Sequence, residues 1–316
     1  MRSADAKVAH LSAPPVAQQG GPDFQRDGVD WPNREASQFV RVGAVIWHTQ
    51  RIGHGTPTLL IHGTGAATHS WAGLIPHLAE THDLLAVDLP GHGFTQVSRH
   101  FRPTIDNMAS AVEALCLGLS FKPELIIAHS AGTAIAIRMA NRGQVHPERI
   151  VSINGALRPY PGLLAPLATG AARLLTAGGL AASMLANGAR DIRRVERLLT
   201  QTGSHPSKDM IAHYGALLRH PAHVSGTLSM MAHWDLSPMP ANCVRLSIPI
   251  LFLAGADDLT VPPGDAIDHA RRTSLGIAKS LETLGHLAHE EDPSRVAEEI
   301  LAFEARPTPP RPEPPG

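Results

Sequence analysis

Ser130 lies in the segment whose residue types point most clearly to chemistry, Leu-Ile-Ile-Ala-His-Ser-Ala-Gly-Thr-Ala at residues 125–134. The apolar residues before it predict a strand, and residues 133–141 after it predict a helix. A turn this tight needs small neighbours, which Ala128 and Gly132 provide. It would expose the serine oxygen above the sheet edge, as a nucleophile requires. A strand-to-helix turn that contains serine by chance remains the alternative for this segment alone.

An acid and a base follow Ser130 in the order that such a nucleophile needs. The apolar segment Leu-Phe-Leu-Ala-Gly-Ala from residue 251 predicts a strand that ends at Asp257 and Asp258, and His286 follows a further strand-like stretch. A serine hydroxyl attacks only when a base takes its proton, and histidine suits that exchange near neutral pH. A carboxylate would fix the tautomer of the histidine. We therefore predict one hydrogen-bonded site of Ser130, His286 and one of the two aspartates.

A loop upstream of Ser130 predicts the remaining part of this chemistry. Thr-Leu-Leu-Ile-His-Gly-Thr-Gly from residue 58 reads as a buried strand that ends at His62 and Gly63. In a serine hydrolase this loop and the residue after the nucleophile supply backbone N–H groups to an oxyanion hole. We assign these donors to Thr64 and Ala131. His62, Gly63 and His129 are the predicted substrate contacts, with structural hydrogen bonding as the alternative for His129.

Several short segments together resemble the α/β-hydrolase superfamily over about residues 35–305. They are His62-Gly63, Asp88-Leu-Pro-Gly-His-Gly93, His129-Ser-Ala-Gly132, Asp258-Leu-Thr-Val-Pro262 and Gly285-His286. The resemblance implies an α/β-hydrolase fold, in which a mostly parallel sheet is flanked by helices, with a helical cap insertion. The acid of that family usually stands four residues before the proline of Asp-x-x-Val-Pro. This favours Asp258 over Asp257, which becomes an ordinary strand-end residue.

Other blocks are not general hydrolase motifs and resemble a narrower family, the magnesium-chelatase accessory proteins of bacteriochlorophyll biosynthesis. These blocks occupy residues 30–37, 63–71, 89–95, 230–236 and 285–291. This resemblance implies a role near magnesium insertion into protoporphyrin in photosynthetic pigment synthesis. It implies no particular reaction. The partners it suggests are an apolar small molecule, such as a porphyrin, and the subunits of magnesium chelatase.

The amino-acid composition is typical of one large globular domain. The chain has 316 residues, 43% of them hydrophobic, and a net charge of −1, which gives no general attraction to nucleic acid. Cys116 and Cys243 lack metal-ligand spacing and indicate a reducing compartment. We find no secretory leader or transmembrane segment in the sequence and expect a cytoplasmic protein.

Strand and helix patterns alternate along the chain, which predicts a parallel sheet covered on both faces. Early strands are expected within 39–52. Further strands are expected at 58–62, 84–88, 124–129, 149–154, 249–255 and 278–284, and helices at about 71–80, 105–119, 131–142, 264–273 and 293–304. We predict a disordered segment over 1–23, a hydrolase domain over 24–305, and a flexible proline-rich tail over 306–316.

An insertion at about 157–242 has helical composition and no strand alternation, so we predict a cap above the nucleophile. Its stretch 174–189 contains no charged residue. A buried cap helix and an apolar lid that faces ligand or membrane are both compatible with that stretch. Four arginines follow it, either as a solvated helix face or as a clamp for carboxylates such as porphyrin propionates. They are Arg190, Arg193, Arg194 and Arg197.

Two further patterns are weak. Gly63-Thr-Gly65 after a strand imitates part of a dinucleotide-binding fingerprint, but the third glycine position holds Thr68. His286, His289 and Glu290 are close in sequence but lack the spacing of a zinc motif. We expect neither a metal nor a cofactor.

Two classes of function remain open from the sequence. The first is an active serine hydrolase that acts in, or assists, magnesium insertion into protoporphyrin. The second is a non-catalytic porphyrin-binding accessory protein of magnesium chelatase on the same scaffold. A carboxylesterase-like hydrolase outside that pathway is a further alternative. An intact set of nucleophile, base and acid favours an enzyme.

Overall fold

A computed structural model describes residues 8–158 and 179–307 of the chain. Nine strands form a single sheet. In chain order they are β1 Val8–His10, β2 Ser37–Val42, β3 Val45–Gly53, β4 Thr56–Ile61, β5 His82–Val87, β6 Leu125–His129, β7 Arg149–Ile153, β8 Ile250–Gly255 and β9 Gly276–Leu281. Their order in the sheet is β1-β2-β3-β5-β4-β6-β7-β8-β9. The pairs β1–β2, β2–β3 and β3–β5 are antiparallel, and the remaining pairs are parallel.

Helices cover both faces of this sheet, which explains why its central strands are apolar throughout rather than alternating. On one face Met108 and Ile135 pack into the larger hydrophobic core, and on the other face Trp71 and Ile300 pack into a second core. The helices outside the insertion are α1 Phe24–Asp27, α2 Ile75–Leu78, α3 Ile105–Gly118, α4 Ala131–Arg142, α10 Gly264–Arg272, α11 Ala288–Glu291 and α12 Pro293–Glu304. The predicted class, a mostly parallel sheet flanked by helices, is confirmed.

The described part of the insertion is helical, as the sequence predicts. It contains α5 Leu180–Gly188, α6 Ile192–Thr200, α7 Lys208–Leu218, α8 Pro221–His233 and α9 Met239–Arg245. Residues 159–178, which include the start of the predicted cap, lie outside the described residues. Among the described residues, no helix is long and apolar enough to cross a membrane.

Two sequence-based predictions need correction. The helix expected at about 71–80 is replaced by a 3₁₀ turn at Thr68–Trp71 and the short α2, because Pro76 lacks an N–H and suits a new first turn. The described part of the expected disordered segment, residues 8–23, is ordered. Val8–His10 pairs with the edge of β2, and Gln18 Nε2 donates to the Val97 carbonyl (2.9 Å). An edge strand offers such bonds to any extended segment, whatever its composition. Residues 308–316 of the predicted flexible tail lie outside the described residues.

Candidate functional site

Ser130 occupies the sharp turn between β6 and α4. Its backbone angles are φ 50° and ψ −119°, a conformation that L residues rarely adopt. The turn is held by bonds from Ser130 N–H to the Ile153 carbonyl (3.0 Å) and from Ala156 N–H to the Ser130 carbonyl (3.1 Å). A Cβ at Gly132 would lie 2.4 Å from the Ile61 carbonyl oxygen, so this position needs glycine. The strained turn aims the hydroxyl away from the sheet.

His286 connects Ser130 to Asp258. Its Nδ1 lies 2.8 Å from Asp258 Oδ2, and its Nε2 lies 3.1 Å from Ser130 Oγ. Because an ionised carboxylate only accepts, Nδ1 carries the proton and Nε2 accepts from the serine hydroxyl. Ser130, Asp258 and His286 are 9%, 5% and 6% exposed, respectively. The structure thus brings together the nucleophile, base and acid that the sequence predicts.

Asp258 is held by groups that use both of its oxygens. Oδ1 accepts from the N–H groups of Thr260 (2.7 Å) and Val261 (2.9 Å), and Oδ2 accepts from Asn154 Nδ2 (2.6 Å) as well as from His286. Asp257 is exposed, and its own N–H bonds to the Leu284 carbonyl. Of the two adjacent aspartates, Asp258 therefore orients the histidine.

Asn154 was not identified from the sequence. It follows strand β7 directly, with a left-handed φ of 49° that asparagine tolerates better than most residues. Its position at the carboxyl end of a central strand was the signal that could have found it, because these ends meet at one edge of the sheet.

The predicted oxyanion donors, Thr64 and Ala131, belong to two segments that lie beside Ser130. A Cβ at Gly63 would lie 2.9 Å from Ser130 Cβ, so the loop passes directly against the serine. Ala131 is the first residue of α4, whose N-terminus points positive partial charge at this space. Among the described residues, neither N–H has a hydrogen-bond acceptor.

His62 does not face a substrate, contrary to the prediction. It is fully buried, its Nδ1 donates to the Gly63 carbonyl (2.7 Å), and its Nε2 accepts from Leu89 N–H (2.9 Å). Burial lowers its pKa, so the neutral ring that these contacts need is the stable form. Because C=O and N–H point in opposite directions in a trans peptide, fixing the Gly63 carbonyl also aims the N–H of Thr64.

The side chain of His129 is also bonded within the protein. Its Nε2 donates to the backbone carbonyl of His286 (2.9 Å), and its ring packs 4.8 Å from that of His286. Burial lowers its pKa well below the usual value, and the nearby His289 and His286 lower it further. The structure therefore favours the structural alternative for His129, which holds the backbone of the loop that carries His286.

Two segments of the insertion contact the loops of this site. Met230 on α8 contacts the Thr64 hydroxyl through its sulfur (3.6 Å). Ser204 Oγ accepts from Leu287 N–H (2.9 Å), directly after His286. Glu291 accepts from His205 N–H (2.9 Å) on the insertion side and from the backbone beside His286. The insertion thus braces both the oxyanion loop and the histidine loop.

The described part of the uncharged stretch, residues 179–189, packs against α8 and is in part exposed. In its described part, Ala182 and Ala186 pack against α8, whereas Leu180 and Met184 are each 69% exposed. Small side chains allow the two helices to approach closely, and this turns the larger side chains outward. Residues 174–178 lie outside the described residues.

A cavity of about 600 Å³ lies between the N-terminal segment and the insertion rather than above Ser130. Arg26, Arg190 and Arg219 line it together with Asp23, Asp27 and His220. Arg26 pairs with Asp27 (2.8 Å). Arg190 and Arg219 form no ion pair with any described residue.

The other arginines of the predicted clamp lie elsewhere. Arg193 pairs with Asp191 (3.2 Å), and its side chain is 81% exposed, while Arg194 and Arg197 are also exposed. They form the solvated helix face that was the alternative. Among the described residues, no group of three or more His, Cys, Asp or Glu side chains could hold a metal ion.

Comparison with known proteins supports the architecture. A family model described as alpha/beta hydrolase fold matches residues 56–293. The Magnesium-chelatase 30 kDa subunit of Rhodobacter capsulatus is 35% identical over 83% of this chain and 92% of its own length. The Uncharacterized hydrolase YugF of Bacillus subtilis is 24% identical over 84% and 96%, respectively.

Solved structures agree at the level of the fold. An alpha/beta hydrolase fold protein from Burkholderia ambifaria superimposes with a TM-score of 0.70 at 20% sequence identity, covering 85% of this chain and 96% of that protein. With this architecture and the family match over most of its length, the chain belongs to the α/β hydrolase fold family.

Proposed function

We propose that this chain is a serine hydrolase that cleaves an ester or a similar acyl bond. The single observation that carries the proposal is the continuous relay from Ser130 Oγ to His286 Nε2 (3.1 Å) and from His286 Nδ1 to Asp258 Oδ2 (2.8 Å). A protein that only binds a ligand has no need to keep these three groups in register on three separate loops.

The proposed reaction begins when His286 takes the Ser130 proton and the serine oxygen attacks the acyl carbon. Asp258 stabilises the imidazolium that forms. The N–H groups of Thr64 and Ala131 receive the negative charge that develops on the carbonyl oxygen. His286 then gives its proton to the leaving group, and water releases the acyl group by the same steps in reverse order.

The proposed biological role comes from the relatives. One relative, 35% identical, is named for magnesium chelatase, and the sequence blocks that resemble the accessory family span most of the chain. We place this hydrolase in, or in support of, magnesium insertion into protoporphyrin, with chelatase subunits as candidate partners. We propose an apolar substrate, because Ser130 is only 9% exposed and little water reaches such a site.

A gene deletion tests this role. In a bacteriochlorophyll-producing strain that carries the gene, we expect the deletion to lower the conversion of protoporphyrin to its magnesium form. The wild-type gene should restore it, and a Ser130→Ala gene should not, because turnover is needed. Chromatography of extracted pigments measures both precursors. Unchanged pigments in the deletion strain would contradict the pathway, and full rescue by Ser130→Ala would contradict the catalytic role.

The second candidate function is porphyrin binding without turnover, and the arginine-lined cavity favours it. Arg190 and Arg219 could bind the carboxylates of an amphipathic acid, with the apolar edge of the cavity receiving its ring. We expect a double Arg190→Gln, Arg219→Gln variant to bind protoporphyrin about tenfold more weakly, the loss of one to two charge-assisted bonds.

Fluorescence quenching measures this binding, and added salt should weaken it in the wild type more than in the variant. Arg193→Gln is the matched control, because Arg193 is exposed and paired with Asp191. Equal affinity of the double variant and the wild type would contradict this site.

A further inference from the structure

His223 on α8 lies between two loops of the hydrolase domain. Its Nδ1 accepts from Gly93 N–H (3.1 Å), and its Nε2 lies 3.2 Å from the Gly65 carbonyl oxygen. The side chain is 2% exposed, and Gly226, one turn further along the helix, packs backbone to backbone against Gly91. A single buried side chain of the insertion thus contacts both loops.

These contacts fix the tautomer of His223. Since the N–H of Gly93 can only donate, Nδ1 must be the unprotonated nitrogen, and Nε2 carries the proton that is donated to Gly65. Burial lowers the pKa of His223 to about 4, so the neutral ring persists at neutral pH. The His92 ring packs edge-on at 5.6 Å and adds no bond to it.

The bond to Gly65 acts on the loop that carries the oxyanion donor Thr64. Ala66 N–H closes this loop by donating to the Gly63 carbonyl (3.2 Å), the same oxygen that accepts from His62. His62 therefore fixes the peptide before Thr64, and His223 fixes the peptide after Gly65. Gly65 has a left-handed φ of 82°, a conformation from which an unsupported glycine can readily depart.

We propose that His223 is a positioning residue: by holding the Gly65 carbonyl, it keeps the loop in the conformation that aims the Thr64 N–H at the reacting carbonyl. This inference rests on the proposed hydrolase function. The insertion thereby supports the oxyanion hole, because the side chain that holds this loop comes from α8. His223 touches neither the substrate nor the reacting atoms.

Two amide substitutions separate the two bonds of His223. Glutamine places its amide nitrogen near the position of Nε2, and asparagine places its amide oxygen near the position of Nδ1. We expect His223→Gln to keep near-wild-type kcat for p-nitrophenyl butyrate. We expect His223→Asn, which keeps only the Gly93 contact, to lower kcat by about tenfold to 100-fold with KM and melting temperature little changed, a part of the cost of losing an oxyanion donor.

Three outcomes would overturn the proposal: unchanged kcat in His223→Asn, equal losses in both variants, or a loss that appears in KM alone. Nitrogen NMR of the wild-type histidines provides a test that needs no variant to fold. It should report His223 with its proton on Nε2, and a proton on Nδ1 would contradict the bond to Gly65. If the wild type hydrolyses nothing, the proposed function fails, and this NMR result still decides whether the bond exists.

Discussion

Replacing Ser130 with alanine is expected to lower kcat for hydrolysis of a p-nitrophenyl ester by roughly 10⁴- to 10⁶-fold. The substitution removes the atom that attacks the acyl carbon, while His286, Asp258 and the backbone donors keep their places. The remaining rate would come from the oxyanion hole and from water activated by His286. Steady-state kinetics against an enzyme-free blank measures the difference.

Ser120→Ala is the matched control for this substitution. Ser120 also has a left-handed φ, of 52°, but it is exposed and follows α3. Its replacement changes the same type of residue at another position with positive φ, and it does not touch the relay. Equal kcat in Ser130→Ala and wild type would show that the measured hydrolysis does not use this serine.

The Asp258→Asn variant is expected to lose about 10⁴-fold in kcat. The amide can present its NH₂ group to His286 Nδ1, which would move the proton to Nε2 and leave no acceptor for the Ser130 hydroxyl. The neutral amide also cannot stabilise the positive charge of the imidazolium, as the carboxylate does. Its size is unchanged, so the geometry of the site should be preserved. Kinetics with the same ester reports the loss, and circular dichroism checks the fold.

The adjacent Asp257→Asn variant provides the control, because it changes the same chemistry one residue earlier at an exposed position. We expect it to keep wild-type kcat. A larger loss in Asp257→Asn than in Asp258→Asn would reverse the assignment of the acid.

Much of this site could be predicted from the sequence because its parts are local. The turn at Ser130 requires small neighbours for steric reasons. Asp258 follows the buried strand β8 and His286 follows β9, so both lie at the same edge of the sheet. Strands with continuous burial also predict helices on both faces, which fixes the parallel topology.

The residues that were missed or misassigned depend on contacts distant in sequence. The position of His62 beside Gly63 predicts a ligand contact, and only the fold shows that Leu89 and Gly63 occupy both of its nitrogens. His223 lies 130 residues along the chain from Gly93, whose N–H donates a hydrogen bond to it. The strand Val8–His10 forms because β2 offers an open edge, a property of the sheet rather than of residues 8–10.

The most direct test of the central claim is covalent labelling of Ser130 by a fluorophosphonate. Intact-mass spectrometry should show one phosphonyl adduct on the wild-type protein, peptide mapping should place it on Ser130, and the Ser130→Ala variant should remain unlabelled. A folded wild-type protein that gains no adduct, or an adduct that persists in Ser130→Ala, would contradict a serine nucleophile at this site.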